Sequence, residues 1–222
     1  MPTRLENVIR DDQLVEHGPC SYVAIILDRS GSMTTTKAAT IRGFNEQIQS
    51  IKSNATGGDT FVSLTLFNGD IEDIFFNVDA SALTELTNDT YHPYGSTAML
   101  DAVGHVLDRL HNETDATDER NRYLILIISD GEENASCAFD YTTIAERIQE
   151  LQTTNRWTIT YMGANQDLAV VRERLNLHAG NMSSYTATND GTAVAYSTMR
   201  AATGQWVNSA DTSCTQDFYS GQ

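Results

Sequence analysis

The stretch Tyr22-Val23-Ala24-Ile25-Ile26-Leu27 is a continuous apolar run that ends in an acid, Asp28. Apolar residues at every position, rather than at alternate positions, indicate a strand that is buried on both faces, as in parallel sheets. A second run of the same kind, Tyr123-Leu124-Ile125-Leu126-Ile127-Ile128, ends in Ser129-Asp130. Two such strands predict a mostly parallel sheet at the centre of the protein.

The segments around these two strands alternate between helical and strand patterns. Apolar residues recur at helical spacing from Ile41 to Ile51 and from Leu100 to Leu110. The segments Phe61–Phe67 and Ile71–Val78 predict two further strands. The Asn68-Gly69 pair between them is a strong hairpin signal, so we expect these two strands to be antiparallel and the second to lie at an edge.

The second half of the chain repeats the alternation. It predicts, in order, a helix, a strand that stops at Gly163, a helix, a weak strand and a last helix: Ile144–Leu151, Trp157–Met162, Leu168–Leu175, Met182–Tyr185 and about Thr192–Trp206. Strands that alternate with helices predict a doubly wound, Rossmann-like α/β sheet with helices on both faces. The crossover connections are expected to be right-handed.

The length of 222 residues suits one domain, and the chain has no internal repeat and no low-complexity linker. We therefore expect a polar lead-in over residues 1–20 and a single domain over residues 21–207. Residues 208–222 form a polar tail, which we expect to be loosely held.

The net charge of −16 argues against a nucleic-acid partner, because nucleic-acid binding depends on Lys and Arg that neutralise phosphates. The first residues lack an apolar run, so we expect no secretion signal. No segment approaches the roughly 18 apolar residues needed to span a bilayer, so we expect no membrane association. The cysteines, Cys20, Cys137 and Cys214, are three in number and far apart. They indicate a reducing compartment, and we predict a cytoplasmic protein.

The segment that carries chemistry is Asp28-Arg29-Ser30-Gly31-Ser32. It follows a buried strand directly, which is where open α/β sheets bind their ligands. Asp28, Ser30 and Ser32 supply three oxygen groups on a short turn, and Gly31 allows that turn to be tight. Carboxylates and hydroxyls are hard donors, which suit Mg²⁺ or Mn²⁺ better than zinc.

Two more oxygen donors complete the candidate site. Thr97 follows Gly95-Ser96 just before a predicted helix, and Asp130 ends the second buried strand. Asp130 can lie beside Asp28 if the two buried strands are neighbours in the sheet. Two carboxylates and three hydroxyls form an incomplete coordination shell, so a metal held there could accept an oxygen from a partner's Asp or Glu.

These positions resemble those of the von Willebrand factor type A (VWA) domain family, which has a metal-ion-dependent adhesion site. That site consists of a D-x-S-x-S motif, a distant Thr and a distant Asp after an apolar strand, here Asp28, Ser30, Ser32, Thr97 and Asp130. The resemblance extends over about Ser21–Trp206. It implies a six-stranded sheet of order 3-2-1-4-5-6 with one antiparallel edge strand. It also implies a bound Mg²⁺, with Mn²⁺ or Ca²⁺ as alternatives.

The resemblance further implies a stand-alone bacterial or phage-like binding protein rather than an enzyme. Similar proteins act as adaptors, some beside AAA+ ATPases of the MoxR type, and others in larger assemblies that include particle surfaces. The expected partner is therefore a protein that offers an Asp or Glu side chain to the metal. For a protein of this kind, a virion or another assembly is the alternative to the cytoplasm.

Simpler roles exist for the same residues. The motif could form only a turn and a helix N-cap, although capping would not need the two distant residues. Arg29 could pair with an acid, steer a partner or be solvated. Glu132 and Glu133 could rim the site or be solvated.

The alternative function is a metal-dependent hydrolase or phosphatase. His92 lies five residues before Thr97 and could act with Ser30 or Ser32 as the nucleophile. However, the chain has no G-x-S-x-G nucleophile elbow. A phosphoryl-accepting Asp28 would have an acid two residues further on, where this chain has Ser30. We therefore predict that the protein is not an enzyme.

Overall fold

The computed structural model describes residues 19–55, 59–209, 211 and 213–220. The predicted lead-in over residues 1–20 therefore lies outside the described residues, except for its last two. The described chain forms one six-stranded sheet, with strands β1 Ser21–Asp28, β2 Thr60–Phe67, β3 Ile71–Asp79, β4 Arg122–Ser129, β5 Trp157–Ala164 and β6 Met182–Tyr185.

The strand order is β3-β2-β1-β4-β5-β6, and only the pair of β2 and β3 is antiparallel. The short link over residues 68–70 can only reverse the chain, whereas the other connections pass over a face of the sheet. Asn68 shapes this link, because its side-chain Oδ1 accepts a hydrogen bond from the Asp70 backbone N–H at 2.9 Å. The predicted sheet order and the hairpin are confirmed.

Helices cover both faces of the sheet, as predicted. Side chains of one β1 face, such as Ile25, pack with Phe44 and Met199; those of the other face, such as Ile26, pack with Val103 and Ile148. The first face is covered by α1 Lys37–Asn54 and α5 Asn189–Asn208, and the second by α2 Met99–Glu113, α3 Tyr141–Thr153 and α4 Leu168–Leu175. No helix in the described part of the chain has both the length and the apolar character needed to cross a bilayer.

The central strands are buried along nearly their whole length, which explains their uninterrupted apolar sequence. The prediction that Gly163 ends β5 is wrong. Gly163 pairs with Ser129 of β4 and with Ser184 of β6, and the strand continues to Ala164. A glycine on a strand with neighbours on both sides keeps its place in the ladder, because the backbone bonds do not depend on a side chain.

The prediction of a loosely held tail is wrong for its described residues. Phe218 is buried in the core on the α1/α5 face, and its backbone N–H donates to Asn181 Oδ1 at 3.0 Å. The Tyr219 backbone N–H donates to the Gly180 carbonyl at 2.8 Å. Two adjacent aromatic residues supply enough apolar area to hold an otherwise polar segment.

Candidate metal site

The two predicted acids meet at the carboxyl edge of the sheet. Strands β1 and β4 are parallel neighbours, and Leu27 pairs with Ile128. Asp28 therefore leaves the sheet beside the segment Ser129-Asp130. The predicted neighbourhood of the two buried strands is confirmed, and it brings together two carboxylates that are about a hundred residues apart in the chain.

Asp28 is fully buried and well supplied with hydrogen bonds. Its Oδ1 accepts from the Ser30 backbone N–H, and its Oδ2 accepts from Ser129 Oγ, both at 2.6 Å. Burial nevertheless raises the pKa of Asp28 to about 6, and the neighbouring Asp130 charge adds to this rise. Burial also raises the pKa of Asp130. A cation at this edge would offset the charges of these two neighbouring carboxylates.

The three predicted hydroxyl groups converge on one small space. Ser30 Oγ lies 3.0 Å from Ser32 Oγ, and Ser32 Oγ donates a hydrogen bond to Asp130 Oδ1. A Cβ atom placed on Gly131 would lie 3.0 Å from Thr97 Oγ1, 3.4 Å from Ser32 Oγ and 3.6 Å from Ser30 Oγ. The missing side chain of Gly131 thus leaves an atom-sized space lined by hard oxygen donors, which fits a divalent metal ion.

The loop before α2 is tied to the motif and to the hairpin. The Gly31 backbone N–H donates to the Gly95 carbonyl at 3.0 Å, and Gly95 has a φ of +79°, which favours glycine. Asn68 donates from Nδ2 to the Tyr94 carbonyl at 3.0 Å, and its own carbonyl accepts from the Ala98 backbone N–H at 2.7 Å. These bonds fix the loop on both sides of Thr97.

The β4–α3 loop holds Thr97 from the other side. The Thr97 backbone N–H donates to Asn134 Oδ1, and the Asn134 backbone N–H donates to the Thr97 carbonyl, both at 3.0 Å. Glu133 accepts from the Leu100 backbone N–H at 2.9 Å, so it satisfies the first turn of α2. Glu133 is therefore not merely solvated, whereas Glu132 is exposed.

Two of the simpler roles do not hold. Ser30 occupies the N-cap position of a 3₁₀ helix over Gly31–Thr36, but its side chain makes no capping hydrogen bond. The hydroxyl points to Ser32 instead, so helix capping does not explain the motif. Arg29 is not solvated: it is buried and forms an ion pair with Glu72 of β3.

His92 is not placed as a general base for either serine. It is exposed, and its Nε2 lies 3.0 Å from the Asp89 carbonyl oxygen in its own loop. The hydrogen bonds described for Ser30 Oγ and Ser32 Oγ lead to each other and to Asp130. The described part of the chain therefore shows no serine–histidine pair at this edge of the sheet.

The donor set depends on hydroxyls rather than on many acids. Within the described residues, no group of three or more His, Cys, Asp or Glu side chains could hold a metal ion. The site combines two carboxylates with three hydroxyls, a set that suits hard cations. Asp28, Ser30 and Thr97 are buried, while Asp130 is half-buried and Ser32 is exposed. The site is thus open on one side, where an outside ligand could enter.

Sequence reasoning missed three supporting residues. Ser129 bonds Asp28 as described above, and the Tyr91 hydroxyl donates to the Asp28 carbonyl at 2.6 Å. Gln166 Nε2 donates to the Gly131 carbonyl at 2.5 Å, and its Oε1 accepts from the Tyr161 hydroxyl at 2.6 Å. A signal existed for Gln166, which follows the carboxyl end of β5 at the same edge. Nothing in the sequence around Tyr91 indicates its role.

A doubly wound α/β domain with a Ser/Thr/Asp cluster at the carboxyl edge of its sheet defines the class to which this protein belongs. Within that class, the chain is a member of the von Willebrand factor type A domain family, which matches residues 23–198. A comparison with curated protein sequences found no match.

Solved structures share this fold at low sequence identity. The pilus adhesin SpaC from Lactobacillus rhamnosus GG aligns with a TM-score of 0.62 and 10% identity, over 86% of this chain and 31% of its own. Manganese-loaded TRAP from Plasmodium vivax aligns with a TM-score of 0.56 and 18% identity, over 81% of this chain and 72% of its own. Proximal thread matrix protein 1 from the mussel byssus, with zinc in its MIDAS motif, aligns with a TM-score of 0.54 and 13% identity, over 85% of this chain and 46% of its own.

At such low sequence identity, the similarity to these three structures shows a shared fold and nothing beyond it. The chain spans less than half the length of SpaC and of the mussel protein. Two of the three structures contain a divalent metal, manganese in TRAP and zinc in the mussel protein.

Proposed function

We propose that this protein is a non-enzymatic binding module that grips a carboxylate of a partner protein through a divalent metal ion. The observation that carries the proposal is the space in front of Gly131, on which three hydroxyl oxygens converge beside two carboxylates. The proposed ligands are Asp28, Ser30, Ser32, Thr97 and Asp130, which form a metal-ion-dependent adhesion site.

Each proposed ligand has a distinct part. Asp28 and Asp130 supply two negative charges, which balance a divalent cation formally. Ser30, Ser32 and Thr97 add neutral oxygens, so the metal is held without being saturated by strong donors. Mg²⁺ prefers six oxygen ligands, and a bound ion would act as a Lewis acid toward a partner's Asp or Glu. We propose Mg²⁺, with Mn²⁺ or Ca²⁺ as alternatives; the manganese and zinc in similar structures support a divalent ion.

The proposed partner is a protein with an accessible acid. The net charge of −16 opposes an acidic surface at long range, so we expect basic residues around that acid. Family resemblance supports an adaptor of the stand-alone bacterial or phage-like type. Its partner would be a MoxR-type AAA+ ATPase or a component of a larger assembly or phage particle, in the cytoplasm or in a virion. A hydrolase is not proposed, because His92 faces its own loop.

Metal binding can be measured first by titration calorimetry with Mg²⁺ and Mn²⁺. We expect Thr97→Ala to weaken metal binding about tenfold or more, because it removes one of the converging hydroxyls. Ser96→Ala is the matched control, since it removes an exposed hydroxyl from the neighbouring position and should leave binding unchanged. Equal affinities of wild type and Thr97→Ala would contradict the assignment of Thr97 as a ligand.

Carboxylate recognition requires the partner. Proteins captured from the native source with Mg²⁺, and released by EDTA, should fail to bind Asp28→Ala. In a captured partner, each interface acid is then changed from Asp to Asn or from Glu to Gln, and one such change should abolish capture. Undiminished, EDTA-sensitive binding after every change would show that the metal grips another group.

A further inference from the structure

Helices α1 and α5 lie side by side and form one outer face of the protein. Their inner sides cover the sheet, and contacts between them recur at a nearly constant offset in residue number. Three pairs show this offset: Gly43 with Tyr196, Glu46 with Arg200 and Asn54 with Asn208. The two helices are therefore parallel, and the outer sides of Lys37–Asn54 and Asn189–Asn208 form one continuous surface, which we call the α1/α5 face.

The balance of charge on the α1/α5 face is the reverse of that in the chain as a whole. The chain has 30 acids but only 14 Lys and Arg residues. The two helices carry four basic side chains against two acids: Lys37, Arg42, Lys52 and Arg200 against Glu46 and Asp190. Two copies of a protein with a net charge of −16 repel each other, and the repulsion is reduced where basic residues outnumber acids. The charge distribution therefore favours the α1/α5 face for the approach of a second copy.

A groove of about 630 Å³ lies on this face. One side of α1 lines most of it, and Glu85 and Arg200 complete the lining. Part of the lining is apolar, because it includes the exposed Ala38 and the half-buried Ile41. The groove thus offers apolar contact area along the first part of α1.

Charged groups of both signs line the groove. Glu46 and Arg200 form an ion pair with each other. Glu85 is exposed, and it accepts a hydrogen bond from the neutral Gln49 amide at 2.9 Å. Arg42 is also exposed, and the structure gives it neither a hydrogen bond nor an ion pair among the described residues. The groove therefore contains an unpaired cation and an acid without a basic partner, so two copies can satisfy each other.

The size of the face suits a reversible dimer. Helix α1 has 18 residues and α5 has 20, which correspond to lengths of about 27 and 30 Å. Two such helices, each about 10 Å wide, present on the order of 600 Å² per copy. A dimer would bury about 1,200 Å² in total, at the lower end of the range for specific interfaces. Val194 of α5 adds apolar area, since it is 67% exposed.

We propose that the α1/α5 face is a homodimer interface, in which two copies meet about a two-fold axis. Arg42 of one copy pairs with Glu85 of the other, and the pair forms twice because a two-fold axis repeats every contact. Ile41 and Val194 supply apolar contact. The inference does not rest on the proposed metal-dependent function. Combined with that function, a dimer presents two metal sites and binds a partner with repeated acids more tightly than a monomer does.

The first test is sedimentation equilibrium of the full chain with EDTA in about 0.15 M salt, where the Debye length is about 8 Å and only charges near the contact matter. We expect a dimer that dissociates on dilution. Arg42→Glu should weaken dimerisation about tenfold or more, because it places like charges opposite each other. The matched control is Arg172→Glu, which makes the same charge change at an exposed position of α4, on the other face of the sheet. The control should dimerise like the wild type.

The assigned pair is tested by exchanging its charges. Glu85→Arg should weaken dimerisation as Arg42→Glu does, because each variant then opposes like charges twice. An equimolar mixture of the two variants should form a heterodimer of nearly wild-type affinity, since both contacts then join opposite charges. Both residues are exposed, so urea unfolding should give the same midpoint for both variants and the wild type.

Three results would overturn the inference: a wild type that stays monomeric up to millimolar concentration, equal losses of dimer in Arg42→Glu and Arg172→Glu, or a mixture that stays monomeric. None of them bears on metal binding, so the proposed function would stand or fall separately.

Discussion

Asp28 is fully buried and is also a proposed metal ligand, and these two roles make opposite demands on its charge in the metal-free protein. Its carboxylate accepts two hydrogen bonds at 2.6 Å, yet its pKa is still raised to about 6. Desolvation therefore outweighs hydrogen bonding at this residue. The buried charge of Asp28 lowers the stability of the metal-free protein. Functional sites commonly reduce stability in this way.

Asp28→Asn separates these two effects. An amide can accept from the Ser30 backbone N–H and donate to Ser129 Oγ, so it keeps the shape of the site without a buried charge. We expect the metal-free variant to be more stable than the metal-free wild type at pH 7.5, by about 1–3 kcal/mol. Added Mg²⁺ should stabilise the wild type and not the variant. Urea unfolding with EDTA and with Mg²⁺ measures both effects; a variant that is less stable without metal would contradict the stated balance.

Gly131 leaves open the space that we assign to the proposed metal ion. In Gly131→Ala the new Cβ would lie 3.0 Å from Thr97 Oγ1, within the space assigned to the metal. We expect metal affinity to fall about tenfold or more, while stability without metal changes by less than about 1 kcal/mol. Titration calorimetry and urea unfolding measure the two quantities.

The matched control for this change is Gly31→Ala. Its Cβ would meet only backbone atoms of Gly95, the nearest at 3.4 Å, outside the space on which the hydroxyls converge. Gly31 is not among the glycines with positive φ, so the turn does not need glycine there as the sequence suggested, and this variant should bind metal like the wild type. If both alanine variants lose metal binding equally, the loss reflects a general disturbance of the loops and not the filling of one space.

At the scale of elements, the close packing of α1 against α5 depends on a glycine. A Cβ on Gly43 of α1 would lie 2.4 Å from Cγ and 2.7 Å from Cβ of Tyr196 on α5. These atoms are close to the α5 backbone, so no rotation of the Tyr196 side chain relieves the clash. Helix α1 follows the D-x-S-x-S motif through one 3₁₀ helix, and this packing therefore also holds the segment that carries the motif.

We expect Gly43→Ala to destabilise the protein by about 1–2 kcal/mol. Overpacking costs about 1–3 kcal/mol, and alanine recovers at most about 1 kcal/mol of helix propensity. The control is Gly204→Ala on α5, where the nearest atom to a new Cβ is Asn54 Nδ2 at 3.4 Å. That variant should be as stable as the wild type or up to about 1 kcal/mol more stable. Equal effects of the two changes in urea unfolding would contradict the packing argument.

At the scale of the whole molecule, pH links metal binding to stability. The folded-state pKa of Asp28, about 6, lies above the ordinary value of 3.8 for an aspartate, so the folded state without metal binds this proton more tightly. Tighter proton binding by Asp28 contributes to the free energy of unfolding of the metal-free protein. This contribution is fully present below about pH 4 and is lost as the pH rises through about 6. A metal ion competes with the proton, so metal should stabilise the protein most where the carboxyl is ionised.

We therefore expect the increase in melting temperature caused by a fixed concentration of Mg²⁺ to be larger at pH 7.5 than at pH 5. At 100 times the dissociation constant, metal should contribute about 2.7 kcal/mol. Asp28→Asn should show no metal-dependent increase at either pH. Thermal unfolding with Mg²⁺ and with EDTA at several pH values provides the measurement, and an increase that does not depend on pH would contradict this linkage.

Much of the fold follows from patterns that are local in the sequence. Uninterrupted apolar runs predicted β1 and β4, because strands with neighbours and helices on all sides have no solvated face. Asn68-Gly69 predicted the antiparallel edge, because a link this short can only reverse the chain. The position of the D-x-S-x-S motif after a buried strand predicted where a site should lie. The described part of the tail was predicted wrongly, because a mostly polar composition hid the packing of Phe218.

The sequence patterns by themselves thus predicted the elements, the antiparallel hairpin, the edge of the candidate site and its five candidate ligands, while the resemblance to the family implied the strand order. Only the tertiary structure decided that Gly131 leaves the space on which the hydroxyls converge, that Glu133 satisfies α2 and that Arg29 pairs with Glu72. The physical reason is distance along the chain. Periodicity and turn signals act over a few residues, whereas the bond from Ser129 to Asp28 joins residues 101 positions apart. Such contacts depend on how the loops from different strands meet at one edge, which no local pattern encodes.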